Sequence, residues 1–383
     1  MRLTGIELVR VDVPFRRTIG TAAGVHRIRP LLLLRVVADG AEGWGECAAL
    51  AEPTTVDPAV ADVEEAAVDR GVRRLVEASA ARGGEVVASA EVAPLFGSSP
   101  VDRMVAAMVE MAVADAELRH AGRSLASSLG VGPGFETMPV GAVVGMPEDR
   151  DLGRLLADVA AAVDARAARI RIKVAPGWDF APLAAVRAAH PGLVLQADAN
   201  GSYALEDAPH LDSLADLDVL CLEQPLHPSD LVAHAELARR ISVPICLDES
   251  LSSPRRVKDA LRNGSCRVAC LKPARLGGVR ATRLAHADCV GAGVPVFVGG
   301  FFEAGLGRAS NLALAARLAQ DATGLVADVG SPAEYLEVDP CGYPDVRAGW
   351  VRVSAEPGVG MSPDQGVLER LGARRRWFPA AYT

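Results

Sequence analysis

From about residue 139 onward the chain repeats one pattern of apolar and polar positions. Short apolar runs rich in Val, Leu, Ile and Cys alternate with longer segments of helical spacing. The runs are RIRIK, LVLQAD, VLCLE, VPICLD and RVACLK, and the segments between them include DFAPLAAVRAAH, DLVAHAELARRI and SPRRVKDALRNG. Apolar runs without strict alternation read as strands buried on both faces, and strand–helix–strand repetition reads as βα units around a parallel sheet. The first such strand is expected near Pro139, in PVGAVVGM, and the last near Phe297, in VPVFVGG, followed by the βα-like piece FFEAGLGRASNLALAARLA. Ahead of the repeat, RLTGIELVRVDVPF, PLLLLRVVADG and EGWGECAAL read as a meander of strands, interrupted by RRTIGTAAGVHRIR as a loop. Residues 55–130 are Ala-rich and helical, in keeping with high helix propensity. Beyond about 325 the repeat stops, and a Gly/Pro-punctuated tail follows. Its strand GWVRVS is expected to return to the first module, and ARRRW to form a solvated helix end. The reading divides the chain into 1–135, 136–325 and 326–383, an α/β barrel with an α+β module ahead of it.

The chemistry sits on the rungs of the repeat. Lys173, Asp198, Glu223, Asp248 and Lys272 each end an apolar run, at spacings of 25, 25, 25 and 24 residues. In a βα barrel, residues at the C-terminal ends of the strands converge on one face. Three carboxylates are thereby expected in one pocket between two lysines. Unpaired, the carboxylates would repel and raise one another's pKa, a conflict that a divalent cation removes. Three hard oxygen ligands without His or Cys favour Mg²⁺, with Mn²⁺ as the alternative. Asn200 and Glu249 read either as groups supporting those ligands or as helix caps and loop hydrogen bonds.

Lysine usage sharpens this picture. Only three of the 40 basic residues are Lys, at positions 173, 258 and 272. Arg stays protonated at working pH, whereas Lys can serve as a base. Two of the three lysines retained stand on the ladder, on opposite sides of the acidic trio. A carboxylate substrate chelated by the metal has an acidified α-proton, which one lysine can remove. The alternative for Lys173 or Lys272 is a Schiff-base nucleophile, as in barrel aldolases. Lys258 lies among other charges on a helix and reads as surface.

Hydrophobic residues make up 50% of the 383 positions and the net charge is −8, with no basic stripe, which excludes a nucleic-acid partner. The N-terminus has no signal-peptide core, and PLLLLRVV is too short to span a membrane, so no membrane partner and a cytoplasmic location are expected. The seven Cys are read as reduced; those in the apolar runs act as small hydrophobes.

These segments resemble the enolase superfamily, in its muconate-lactonizing-enzyme-like subgroup, over essentially the whole chain. The likeness is nearest to the o-succinylbenzoate synthase / N-succinylamino acid racemase branch. It is carried by RIRIKVAPGWD, LQADANGSY, CLEQPL, PICLDES, CLKPARLGG and GGFFEAGLGRASN. In the last, Gly299, Gly300, Glu303 and Arg308 match the branch's GG-x-x-E-x-G-x-GR pattern. The resemblance implies a modified TIM barrel, (β/α)7β, with an α+β capping domain built from the N-terminal segment and the C-terminal tail. It also implies a small carboxylate substrate, homo-oligomers, Mg²⁺ held by Asp198, Glu223 and Asp248, Lys173 as base, and Lys272 as the opposite lysine. The first reaction it implies is o-succinylbenzoate synthesis, a dehydration in menaquinone biosynthesis; the second is N-acylamino acid racemisation, and one protein can do both.

There are departures from the branch. Arg171 stands where the KxK motif begins with Lys, and is expected to supply positive charge near the substrate carboxylate. Phe301 and Phe302 replace a Met–aliphatic pair and are expected to reshape the pocket. Ala274 replaces a Gly while Arg275 is kept; Arg275 is expected to depress the pKa of Lys272. Arg16, Arg17, Arg27 and Arg29, in the loop expected to close the barrel mouth, are candidates for a second substrate carboxylate or plain solvated charges.

Overall fold

The computed structural model describes residues 1–21, 24–321 and 324–380. Three strands open the chain: β1 (Leu3–Thr21), β2 (Gly24–Ala38) and β3 (Ala41–Cys47). Then come β4 (Thr137–Pro139) and seven short strands: β5 (Gly141–Val144), β6 (Arg169–Lys173), β7 (Leu195–Asp198), β8 (Leu222–Glu223), β9 (Ile245–Leu247), β10 (Val268–Leu271) and β11 (Val296–Val298). The tail adds β12 (Val346–Arg347), β13 (Trp350–Arg352) and β14 (Arg374–Pro379).

β5 to β11 form one parallel sheet in sequence order, with helices between consecutive strands. After helix Gly305–Leu318 the chain makes an eighth, strand-like pass. Leu325 N bonds Val296 O at 2.8 Å and Asp328 N bonds Val298 O at 3.0 Å, both on β11. Gly141 N of β5 bonds Ala327 O at 3.1 Å, so this pass joins the two edges of the sheet into a barrel. Closing the sheet leaves no unpaired edge among these strands. The first barrel strand, β5, lies within PVGAVVGM, and Pro139 at the head of that run belongs to β4, which pairs antiparallel with β13 outside the barrel.

The first sheet has the order β14-β1-β2-β3, antiparallel throughout. Its central strand explains the run LLLL. Leu31 and Leu33 pack into the core shared with the barrel, and Leu32 and Leu34 into the core under the helical layer. A strand buried on both faces has no polar side to display, so alternation disappears. Each such leucine contributes about 1.5–3 kcal/mol on burial. Helix Pro100–His120 covers the far face of the sheet. It starts with Pro at its first turn and with Ser99 Oγ accepting from Asp102 N at 3.1 Å. A Cβ at Gly43 or Gly45 of β3 would collide with the backbone of that helix at Ala112, Ala116 and Met108, so glycine is what lets the two lie in contact.

Three expectations are corrected. RRTIGTAAGVHRIR is strand at its described residues and not loop: β1 runs to Thr21 and β2 starts at Gly24, with a register shift between Pro14 and Ile19, while positions 22 and 23 lie outside the described residues. The tail strand that returns to the first sheet is β14, RRRWFP, whereas GWVRVS supplies β13. ARRRW is therefore strand and not helix end. β14 lies at the sheet's edge with Arg374–Trp377 exposed, and that exposure hides its strand character in the sequence. No helix among the described residues is long and apolar enough to cross a membrane.

Candidate active site

Parallel pairing sets the rungs beside one another. Lys173 of β6 is registered with Asp198 of β7, and Asp198 with Glu223 of β8. Asp248 and Lys272 follow directly on β9 and β10. Period-2 alternation carries the inward face one layer down, to Arg171, Gln196 and Cys270.

The lysines sit at the two flanks. Lys173 Nζ is 2.7 Å from Asp198 Oδ2 and also bonds Asn200 Oδ1. Lys272 Nζ is 2.8 Å from Asp248 Oδ2. Asn200 in turn donates to Glu249 Oε1 at 2.8 Å. Glu223 receives both oxygens' worth of contact from Arg171 Nη1, at 3.0 and 2.9 Å, and a further bond from Gln196. Oxygens of Glu223 and Asp248 and Cys270 Sγ all lie within 4.8 Å of one another. Asp198 stands outside that close group, drawn toward Lys173.

The electrostatics follow from burial and these pairs. Burial pushes the Glu223 carboxyl up to about 8; Arg171 pulls against this, while Asp198, Asp248 and Asp328 add to it. Burial would raise Asp248 as well, but Lys272 and Arg275 outweigh it and hold that carboxylate well below the usual range. Burial acts to lower Lys272, as does Arg275, yet Asp248 together with Cys270 and Glu249 outweighs them, so its ammonium is held above the ordinary value. The expected depression by Arg275 is thus not the net result. That guanidinium spends its charge on Asp248 Oδ1, at 2.6 Å, and on Asp57. Glu249 is raised by burial and then by Asp248 and Asp198, and its Oε2 has no hydrogen-bond partner among the described residues.

The donor set fits a hard divalent cation. Asp198, Glu223 and Asp248 offer only oxygens, Glu249 leaves one buried oxygen unsatisfied, and like charges raise Glu223 and Glu249. Cys270 is a poor rival ligand. Its thiol is pushed well above its ordinary pKa by burial and packs with Cys221, Cys246, Val268 and Phe297 in the barrel interior.

The remaining sequence candidates take mixed places. Arg171 is buried beneath the carboxylates, bound to Glu223 and, at 2.7 Å, to Asp328 Oδ2; its charge is spent there and not in an open pocket. A Cβ on Gly299 would collide with Cys270 Sγ and crowd Lys272, and one on Gly300 would press Arg308 and Glu303. These two glycines make room. Phe301 lies under Lys272 and Arg275, at 4.8 and 5.3 Å from its ring centre. Phe302 points elsewhere, edge-on to Phe15 and Tyr335, so only one of the two rings faces the lysine. Glu303 braces its own turn through Phe301 N, Asn311 and Arg308. Of the four arginines near the hairpin, Arg29 is fully buried, with its donors on the carbonyls of Phe302, Pro30, Ala49 and Cys47. Arg16 bonds Leu336 O at 3.2 Å, and Arg17 and Arg27 are exposed. Lys258 is exposed beside Asp288.

Four residues escaped the sequence reading. Gln196 and Arg169 were within reach, since each lies on the inward face of its strand, below Asp198 and Lys173. Asp328, which binds Arg169 and Arg171, and Asp57, which binds Arg275, come from segments with no repeat to mark them.

A family described as Enolase C-terminal domain-like matches residues 154–367. The chain is 37% identical over 379 residues to an N-succinylamino acid racemase of an Amycolatopsis species, covering 99% of this chain and 100% of that protein. It is 31% identical over 359 residues to the o-succinylbenzoate synthase of Bacillus subtilis, covering 93% and 92%. An enolase-superfamily structure from Listeria innocua superposes over 100% of both chains with a TM-score of 0.90 at 29% identity. With a barrel whose strand ends carry these acids and lysines, and relatives matched from end to end, this chain belongs to the enolase superfamily.

Proposed function

We propose that this enzyme removes the proton α to a substrate carboxylate in a Mg²⁺-dependent reaction, with o-succinylbenzoate synthesis by dehydration as the first reading. The observation that carries it is the placement of two lysines on opposite flanks of a buried carboxylate set, each within 2.8 Å of one member. Asp198, Glu223 and Asp248 would hold the metal, which when bound supplies Lewis-acid polarisation of the substrate carboxylate. Lys173, a third exposed, faces the mouth and takes the α-proton. Lys272 serves the dehydration as a fixed cation. Asp248 and the ring of Phe301 both favour its charged form.

N-succinylamino acid racemisation is the second reading. It needs a base on each face, and Lys272 is bound to its carboxylate much as Lys173 is. The 37% identical Amycolatopsis relative carries that name.

Purified protein with Mg²⁺ is expected to dehydrate 2-succinyl-6-hydroxy-2,4-cyclohexadiene-1-carboxylate, and EDTA to stop it. No turnover by folded, metal-loaded protein would reject the first reading. Exchange of the α-proton of N-succinyl amino acids in D₂O then tests the second. Arg275→Gln is expected to change dehydration and racemisation unequally, because Arg275 lies beside Asp248 and the ring of Phe301 on the Lys272 flank, away from Lys173. Borohydride trapping that survived EDTA would instead point to Schiff-base chemistry.

A further inference from the structure

One residue of the N-terminal module reaches the carboxylate set. Asp57 lies in the turn before helix Val60–Ala66, apart from every strand that carries the site. It is buried and grips Arg275 with both oxygens, Oδ1 to Nε at 2.8 Å and Oδ2 to Nη2 at 2.7 Å. The remaining arm of the same fork, Nη1, lies 2.6 Å from Asp248 Oδ1 and 3.1 Å from Asp248 O. One guanidinium is thus shared between an acid of the capping module and an acid of the barrel. Fork–fork pairing fixes direction as well as distance. Asp57 is itself held first. Thr54 Oγ1 donates to its Oδ2 at 3.1 Å and accepts from its N–H at 2.9 Å, and Thr54 N bonds Asp57 O at 2.9 Å.

We propose that Asp57 is a positioning residue for metal binding, acting through Arg275 on Asp248. It cancels the guanidinium charge and fixes the fork on Asp248 Oδ1, which sets the orientation of a carboxylate whose Oδ2 is held by Lys272. Without Asp57, Nε and Nη2 are buried donors without partners, and the fork turns to find them. An uncompensated cation then stands beside a ligand that a divalent ion must share. The capping module in this way completes a site whose ligands all belong to the barrel. The inference rests on the metal reading given above.

The test is the affinity of metal-free protein for Mn²⁺, read from the electron paramagnetic resonance of free Mn²⁺ during titration. Asp57→Asn is expected to weaken binding about 10-fold or more, the usual effect of losing a group that orients a ligand. In an Arg275→Gln background the same change is expected to have less than about a twofold effect, because there is no fork left to position. Glu110→Gln, at the same module interface but bonded to the backbone of Arg280, is expected to leave affinity unchanged. If Asp57→Asn does not fold by circular dichroism, Thr54→Val loosens Asp57 more gently and is expected to cost about threefold, below the full loss for such a group. Unchanged affinity in Asp57→Asn, or in Thr54→Val where that variant is the one measured, overturns the proposal. So does an equal loss in both backgrounds, or an equal loss in Glu110→Gln. Wild-type protein that takes up no Mn²⁺ overturns the metal reading and this inference with it; tight wild-type binding left intact by Asp57→Asn overturns this inference alone.

Discussion

Glu110→Gln isolates the effect of one buried carboxyl on stability. Glu110 lies on helix Pro100–His120 with 6% of its surface exposed. Its Oε1 accepts from Arg280 N at 3.0 Å, at the start of helix Val279–Gly291, and its Oε2 has no hydrogen-bond partner among the described residues. A Cβ on Gly278 would collide with this carboxylate, so the glycine is part of the fit. Burial pushes the group from an ordinary value of 4.5 up to about 7, against the backbone N–H groups of Arg280 and Val279. Below about pH 4.5 Glu110 is protonated in both folded and unfolded chains and costs nothing. Above about pH 7 it is ionised in both, and the folded state bears the whole burden. Stability is therefore lost as pH rises through that window, by about 3 kcal/mol at 1.36 kcal/mol per pH unit. Glutamine keeps the acceptor for Arg280 and cannot ionise. Its amide adds only a pH-independent offset, so the informative quantity is the difference between two pH values. Guanidinium unfolding followed by circular dichroism at pH 5 and pH 8.5 should show the variant gaining up to about 3 kcal/mol on wild type between the two. The same stability difference at both pH values would refute the reasoning.

Other changes probe the site and the core. Lys173→Arg keeps the charge and removes the basicity, so α-proton exchange in D₂O should fall about 10²- to 10⁴-fold; full activity would refute the base assignment. Asp328→Asn leaves Arg169 and Arg171 short of their shared buried carboxylate and should cost about 3–5 kcal/mol in denaturant unfolding. A loss below about 1 kcal/mol, the range of an exposed pair, would show that the pairing contributes little. All seven cysteines are buried and free, so a thiol reagent should label none in the native protein and seven after denaturation.

The sequence by itself determined the barrel and the content of its mouth. Each apolar run ends where its strand ends, and a parallel sheet built in sequence order brings those ends together. Lys173, Asp198 and Glu223 are registered neighbours for that reason alone. The same logic could have reached Gln196, two residues before Asp198 on one strand face. The tertiary structure decided whatever depends on contacts between distant segments. The closing pass at Leu325–Asp328 has no repeat to announce it, yet it supplies the acid that neutralises Arg169 and Arg171. Arg29 reads as a loop cation and proves to be a fully buried strap on four carbonyls, because nothing in a sequence shows which backbone groups lack partners. Phe301 and Phe302 are adjacent and alike, but the backbone turns one ring under Lys272 and the other into Phe15 and Tyr335. Asp57 and Asp248 stand far apart along the chain and meet on one guanidinium. Local pattern fixes which face a residue occupies; long-range packing fixes what it finds there.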